Sequence, residues 1–293
     1  MNKMGLVKKL DAYERLMRLD KPIGILLLLW PTMWALWLAT RGQPYWIYLL
    51  IFITGTVLMR SAGCVMNDIA DQKYDGLVER TKNRPLATGE VTRKEAYFLA
   101  AGLCLLAFIL VLFFNKSTIL LSFAALFLAA TYPLTKRFLT IPQAYLGVAF
   151  GFGIPMAFSA ANDYIPPLAW WLLVANVFWA IAYDTQYAMV DRDDDIKIGI
   201  QSSALFFGQY DVLAIMVCYA AMLGILLYVG NFLGLGKYYA IGIGFSIGFA
   251  IGQYQLIKKR LKTDCFKAFL LNNWIGFAIF AGLAAEYYFH STN

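Results

Sequence analysis

The 293-residue chain is 60% hydrophobic and only 15% charged, with a formal net charge of +7, against the roughly 25% charged residues usual in a soluble domain. That deficit excludes an ordinary soluble enzyme. Runs such as Leu26-Leu27-Leu28-Leu29 show no period of two, so a transmembrane β-barrel is excluded as well.

In chain order, nine charge-free stretches are long enough for membrane-spanning helices: 22–40, 42–59, 96–115, 117–135, 138–162, 164–183, 212–236, 238–257 and 268–285. The expected fold is all-α, a polytopic membrane protein of nine transmembrane helices, forming one domain over 1–293. The first stretch is too long for a signal-peptide core and no A-x-A-like cleavage site follows it, which reads as a retained helix. Of the 25 Lys and Arg, 21 fall in the N-terminal segment and in every second connection after it. By the positive-inside rule the N-terminus is cytoplasmic and the C-terminus outside. The net positive charge is then topological, and no nucleic-acid partner is needed to explain it.

Cys64, Cys104, Cys218 and Cys265 sit in or beside apolar runs without C-x-x-C spacing, and the single histidine, His290, stands near the end. Thiolate and imidazole metal sites are thereby excluded, and any bound metal must be held by oxygen. In 244–252, Gly244, Gly248 and Gly252 repeat at four-residue spacing, which predicts a close helix contact.

Acidic residues concentrate in two places, 68–95 and 184–195. The first opens with Asn67, Asp68, Asp71 and Asp75, directly after the second apolar stretch. If the helix continues, Asn67, Asp71 and Asp75 share one face, and such a ladder of like charges calls for a cation between them. The second holds Asp191 and Asp195 at the same spacing, with Asp184 two turns earlier on the same face, where it should meet a wet cavity. Hard divalent cations take oxygen ligands, and Mg²⁺ completes its shell with water and phosphate. Near these acids stand Lys82, Arg84, Lys136 and Arg137, bases suited to a diphosphate. Arg60 lies two turns before Asn67 on the same face, and its planar fork suits a carboxylate. The acidic segments are expected as loops over 67–95 and 184–210.

Arg18-Leu19-Asp20-Lys21-Pro22-Ile23-Gly24, Arg60-Ser61-Ala62-Gly63-Cys64 through Asp75, Glu79-Arg80-Thr81-Lys82-Asn83-Arg84-Pro85-Leu86, Tyr132-Pro133-x-x-Lys136-Arg137 and Tyr183-Asp184 through Asp195 together resemble the UbiA superfamily of intramembrane prenyltransferases. Within it the chain is most similar to the bacterial 4-hydroxybenzoate polyprenyltransferases. The resemblance implies Mg²⁺-dependent transfer of an isoprenoid from polyprenyl diphosphate to the ring carbon ortho to the hydroxyl of 4-hydroxybenzoate, in ubiquinone biosynthesis. It implies nine transmembrane helices around a central cavity, closed by polar loops at its cytoplasmic end and open sideways to lipid. Asn67, Asp68, Asp71, Asp75, Asp191 and Asp195 would hold metal, with Asp71, Asp75, Asp191 and Asp195 the catalytic carboxylates. Lys82, Arg84, Lys136 and Arg137 would bind diphosphate, and Arg60 the benzoate carboxylate. The expected setting is the bacterial inner membrane, with the active site facing the cytoplasm and no obligate protein partner. Two other readings stay open: a cation-coupled transporter, which also uses intramembrane acids, and a prenyltransferase with another aromatic or porphyrin acceptor.

Overall fold

The computed structural model describes residues 3–77 and 80–290, so Val78 and Glu79 of the first acidic segment lie outside the described residues. Regular structure within them is helical throughout: α1 Lys3–Met17, α2 Ile23–Ala39, α3 Trp46–Asp75, α4 Arg93–Val111, α5 Lys116–Thr135, α6 Pro142–Gly151, α7 Gly153–Asn162, α8 Pro167–Ile198, α9 Ser203–Phe207, α10 Asp211–Phe232, α11 Lys237–Ile257 and α12 Lys262–His290. Eight spans among the described residues are long and apolar enough to cross a membrane, and the 17-residue α2 is a shorter apolar helix beside them. The chain is a polytopic membrane protein.

Local chemistry sets the helix ends. Thr92 and Glu95 form a reciprocal capping box at the start of α4, and Asn115 caps α5 by accepting from the Thr118 N–H. The expected single helix over 138–162 is broken at Phe152 into α6 and α7. Pro155 explains the break: it lacks the N–H that would bond the Gly151 carbonyl, and its ring collides with that carbonyl in a continuous helix.

Two expectations are corrected by the architecture. The acidic segments begin as helix rather than loop, because α3 continues to Asp75 and α8 to Ile198. At 1.5 Å per residue these helices of 30 and 32 residues run about 45 and 48 Å, so about 15 and 18 Å of them extend past a hydrocarbon core of roughly 30 Å. The second correction concerns the glycines. Gly244, Gly248 and Gly252 are exposed, and a methyl at any of them would meet nothing within 4 Å. The close approach between α11 and α12 is instead at Gly242 and Gly282, where a methyl on Gly242 would lie 2.5 Å from the Ala278 carbonyl oxygen. Gly244 is two residues from Gly242, about 200° around the helix, and so turns away from the contact.

The larger of two core clusters includes Trp34, Trp179, Tyr183 and Tyr219. Inside it, Gln186, Tyr219, Gln253 and Asn272 hydrogen-bond one another across α8, α10, α11 and α12, and Trp179 donates to Asn272 at 3.1 Å. Interhelical polar bonds of this kind supply association that apolar burial cannot give in lipid. A smaller cluster joins Ala12 and Leu16 of α1 to Val65 and Ile69 of α3 and to Leu86, Val91, Ala96 and Ala100. It fastens α1 and the part of the connection around Leu86 and Val91 to α3 and α4.

Candidate active site

The protruding ends of α3 and α8 face a cavity of about 1080 Å³. Asn67, Asp68, Asp71 and Asp75 from α3 line it together with Asp184, Asp191 and Asp195 from α8. Its deeper wall is apolar, formed by Leu27, Ile51, Phe52, Leu110, Val111 and Phe114. One chamber thus joins a carboxylate-rich end to a hydrocarbon-like interior.

Each acidic position except Asp184 and Asp195 is held by a base. Arg18 donates to both oxygens of Asp68 at 2.9 Å, and Arg84 reaches Asp68 at 3.0 Å and Asp75 at 2.9 Å. Lys136 lies 3.5 Å from Asp71 and 3.4 Å from the Asn67 Oδ1. Arg80 forks onto Asp191 at 2.6 Å while its guanidinium stacks 4.6 Å from the Tyr187 ring centroid. These pairs cancel the repulsion that the i, i+4 carboxylates would otherwise exert along their helices. Outside the membrane-spanning segments, α1 is tied down by Arg15, which pairs with Glu90 and holds that carboxyl below its usual range, with Thr88 assisting.

Two of the bases expected at the diphosphate do not line the cavity. Lys82 is exposed on the 76–92 connection, and Arg137 is exposed and donates to the Ala70 carbonyl at 3.2 Å. The positive-inside pattern accounts for such bases without a ligand. Asp68, expected among the metal ligands, is 1% exposed and has its oxygens committed to Arg18 and Arg84. Arg18 and Arg80, by contrast, line the cavity and were not singled out in the sequence. Their signal was only their place within the motif segments, since each pairs with an acid 50 or 111 residues away.

A second polar layer lies two turns deeper. Arg60 lines it, with its guanidinium 5.4 Å from the Phe150 ring and its buried Nε without a hydrogen-bond partner. Gly24 makes room for that guanidinium, since a methyl there would fall 2.4 Å from the Arg60 Nε. Tyr132, Gln143, Tyr183 and Asp184 line the same region.

Among the described residues no three His, Cys, Asp or Glu side chains converge on one point. The donor chemistry nonetheless fits a hard divalent ion, because the cavity offers Asn and Asp oxygens from two helix ends, Asn67, Asp71 and Asp75 on α3 and Asp191 and Asp195 on α8. Mg²⁺ needs only one or two carboxylates when phosphate and water complete its shell.

The UbiA prenyltransferase family model matches residues 28–277. The chain is 62% identical to the 4-hydroxybenzoate octaprenyltransferase of Methylobacillus flagellatus over 292 residues, covering 100% of this chain and 99% of that one. It is 61% identical to the protein of the same name from Azoarcus sp., covering 97% and 99%. Among solved structures, the apo UbiA homolog from Aeropyrum pernix K1 superposes with a TM-score of 0.79 at 26% identity, covering 89% of this chain and 97% of that one. A UbiA homolog from Archaeoglobus fulgidus bound to GPP and Mg²⁺ shares the fold at a TM-score of 0.66 and 19% identity, covering 92% and 99%. Matched through both acidic helix ends and nearly end to end, the protein belongs to the UbiA prenyltransferase family.

Proposed function

We propose that the protein transfers a polyprenyl group from polyprenyl diphosphate to the carbon ortho to the hydroxyl of 4-hydroxybenzoate, forming 3-polyprenyl-4-hydroxybenzoate for ubiquinone biosynthesis. The carrying observation is the single cavity that places carboxylates and bases at one end of an apolar chamber. A diphosphate fits the first part and an isoprenoid tail the second. The relatives named as 4-hydroxybenzoate octaprenyltransferases support the acceptor, and the A. fulgidus homologs bound to GPP and Mg²⁺ and to Cd²⁺ support a divalent ion at the acidic end.

Asn67, Asp71, Asp75, Asp191 and Asp195 would hold Mg²⁺, which compensates the charge of a departing diphosphate when bound. Arg84 and Lys136 then exchange their carboxylate partners for diphosphate oxygens, lowering the barrier to C–O cleavage by stabilising developing negative charge. The apolar wall keeps water from the allylic cation until the electron-rich phenol ring attacks it. Arg60, two turns deeper, takes the benzoate carboxylate and so aims the ring at the allylic carbon. The site faces the cytoplasm of a bacterial inner membrane, following the distribution of bases.

The test is incubation of the purified protein with 4-hydroxybenzoate and labelled polyprenyl diphosphate, with Mg²⁺ or with EDTA. Prenylated benzoate should form only with the metal. Asp71→Ala, Asp75→Ala, Asp191→Ala and Asp195→Ala should each abolish transfer while the protein still inserts in the membrane. No product with Mg²⁺ present would remove the acceptor assignment, and equal product in EDTA would remove the metal.

A further inference from the structure

Forming the new carbon–carbon bond leaves the attacked ring carbon with both its hydrogen and the prenyl group, and the ring regains aromaticity only when that hydrogen leaves as a proton. The departing diphosphate is one acceptor, but Arg84 and Lys136 would hold it at the cavity's outer end. A group at the depth of the ring is better placed. On the reading of the site given above, the ring lies at the level of Arg60, seven residues below Asn67 on α3. The corresponding position on α8, seven residues below Asp191, is Asp184.

Several observations make this layer a built site. Tyr183 is 1% exposed, lines the cavity, and its hydroxyl has no hydrogen-bond partner. The buried Arg60 Nε is likewise unpartnered. The charged and polar groups facing Asp184 are Arg60 of α3, Tyr132 of α5 and Lys136 at that helix's C-cap, the amide of Gln143 of α6, and Asp191 two turns along α8 itself. Gln143 is fixed in one orientation, because its Oε1 accepts the Ser203 backbone N–H at 3.0 Å. Its amide NH₂ is therefore the end left for the carboxylate. Asp184 has no ion-pair partner within salt-bridge distance, unlike Asp68, Asp71, Asp75 and Asp191, each of which has one. Its carboxylate stays available to a substrate.

We infer that Asp184 is the catalytic base that takes the ring proton. The allylic C–O bond breaks with its electron pair leaving on diphosphate, and a ring π pair forms the new C–C bond. The ring C–H bond then breaks, its pair restores the aromatic sextet, and the proton passes to an Asp184 oxygen. Asp184 is reset by giving that proton to the released diphosphate or to water as the product leaves.

The experiment compares unaltered protein, Asp184→Asn and Asp184→Glu, each with Mg²⁺, polyprenyl diphosphate and either ordinary 4-hydroxybenzoate or the acid deuterated at ring positions 3 and 5. Inorganic pyrophosphate binding in the presence of Mg²⁺ is measured in parallel. The unaltered protein should show no primary isotope effect, since a base placed at the ring makes proton loss fast. Asp184→Asn should lose about a hundredfold in kcat, the low end for an acid–base group, and acquire a primary deuterium isotope effect, while pyrophosphate binding stays unchanged. Asp184→Glu should recover part of the rate and lose the isotope effect. Three results overturn the inference: Asp184→Asn with unchanged kcat, a slower Asp184→Asn without an isotope effect, or a variant that no longer binds pyrophosphate and so places Asp184 in the diphosphate clamp. Absence of product from the unaltered protein overturns the acceptor reading itself, and the base with it.

Discussion

At the scale of single residues, the acidic end is neutralised from within, since bases suited to the diphosphate are paired with carboxylates suited to the metal. Arg84 shows the consequence most clearly. It bridges Asp68 and Asp75, whose side chains are 1% and 6% exposed, so Arg84→Gln leaves buried charge uncompensated. Removing one partner of such a pair costs up to about 3–5 kcal/mol when fully buried, less beside a cavity. Arg84→Gln should therefore lower the unfolding temperature in detergent and weaken pyrophosphate binding. Adding Asp75→Asn should restore much of the first loss and none of the second; recovery of both would deny Arg84 any contact with diphosphate. Arg60 permits a separate test through Gly24. Arg60→Ala should raise KM for 4-hydroxybenzoate about ten- to hundredfold, from the 1.5–3 kcal/mol of a hydrogen bond to a charged group. Gly24→Ala displaces the same guanidinium, whose flexible end can yield without unfolding the protein. It should raise that KM in the native background and add nothing to Arg60→Ala. An additive effect of the two would place Gly24 outside the acceptor pocket.

At the scale of elements, the sequence disclosed the spans through their lack of charge but misplaced what depends on rotation or on distant partners. That Asn67, Asp71 and Asp75 share a face follows from the helical period, and α3 realises it by running on to Asp75. Read from the sequence alone the segment is a loop; Arg18 just past α1, Lys136 just past α5 and Arg84 of the 76–92 connection pair with its carboxylates, and single-sequence spacing cannot show them. Likewise, i, i+4 glycines mark a helix capable of close approach without saying which face meets a partner. Gly242 and Gly282 carry the α11–α12 contact, with Gly282 Cα 2.9 Å from a methyl placed on Gly242. Both obstacles are backbone, so Gly242→Ala should force the helices apart and lower the unfolding temperature. Gly248→Ala meets open space and should leave that temperature unchanged or raise it, since Ala is favoured over Gly in a helix by up to about 1 kcal/mol. Equal effects at both sites, read by thermal unfolding in one detergent, would contradict the packing described.

At the scale of the whole molecule, charge distribution and cavity position should agree. Of 25 Lys and Arg, 21 belong to one set of alternating connections, and the acidic ends of α3 and α8 project toward that same set. The helices carry no direction of their own, so the membrane side of the site rests on this asymmetry, which biases insertion because bases are retained on the cytoplasmic side. Two exposed positions test it, Lys94 in the first turn of α4 and Lys116 in the first turn of α5. They stand at opposite ends of the α4–α5 hairpin. After the four native cysteines, three of them buried and Cys104 half-buried, are replaced by Ala, Lys94→Cys should be shielded from a membrane-impermeant maleimide in intact cells and react once the membrane is permeabilised. Lys116→Cys should react in both conditions. The reverse pattern would put the diphosphate end outside the cell, where a cytoplasmic supply of polyprenyl diphosphate could not reach it, and would overturn the orientation together with the direction from which the donor enters.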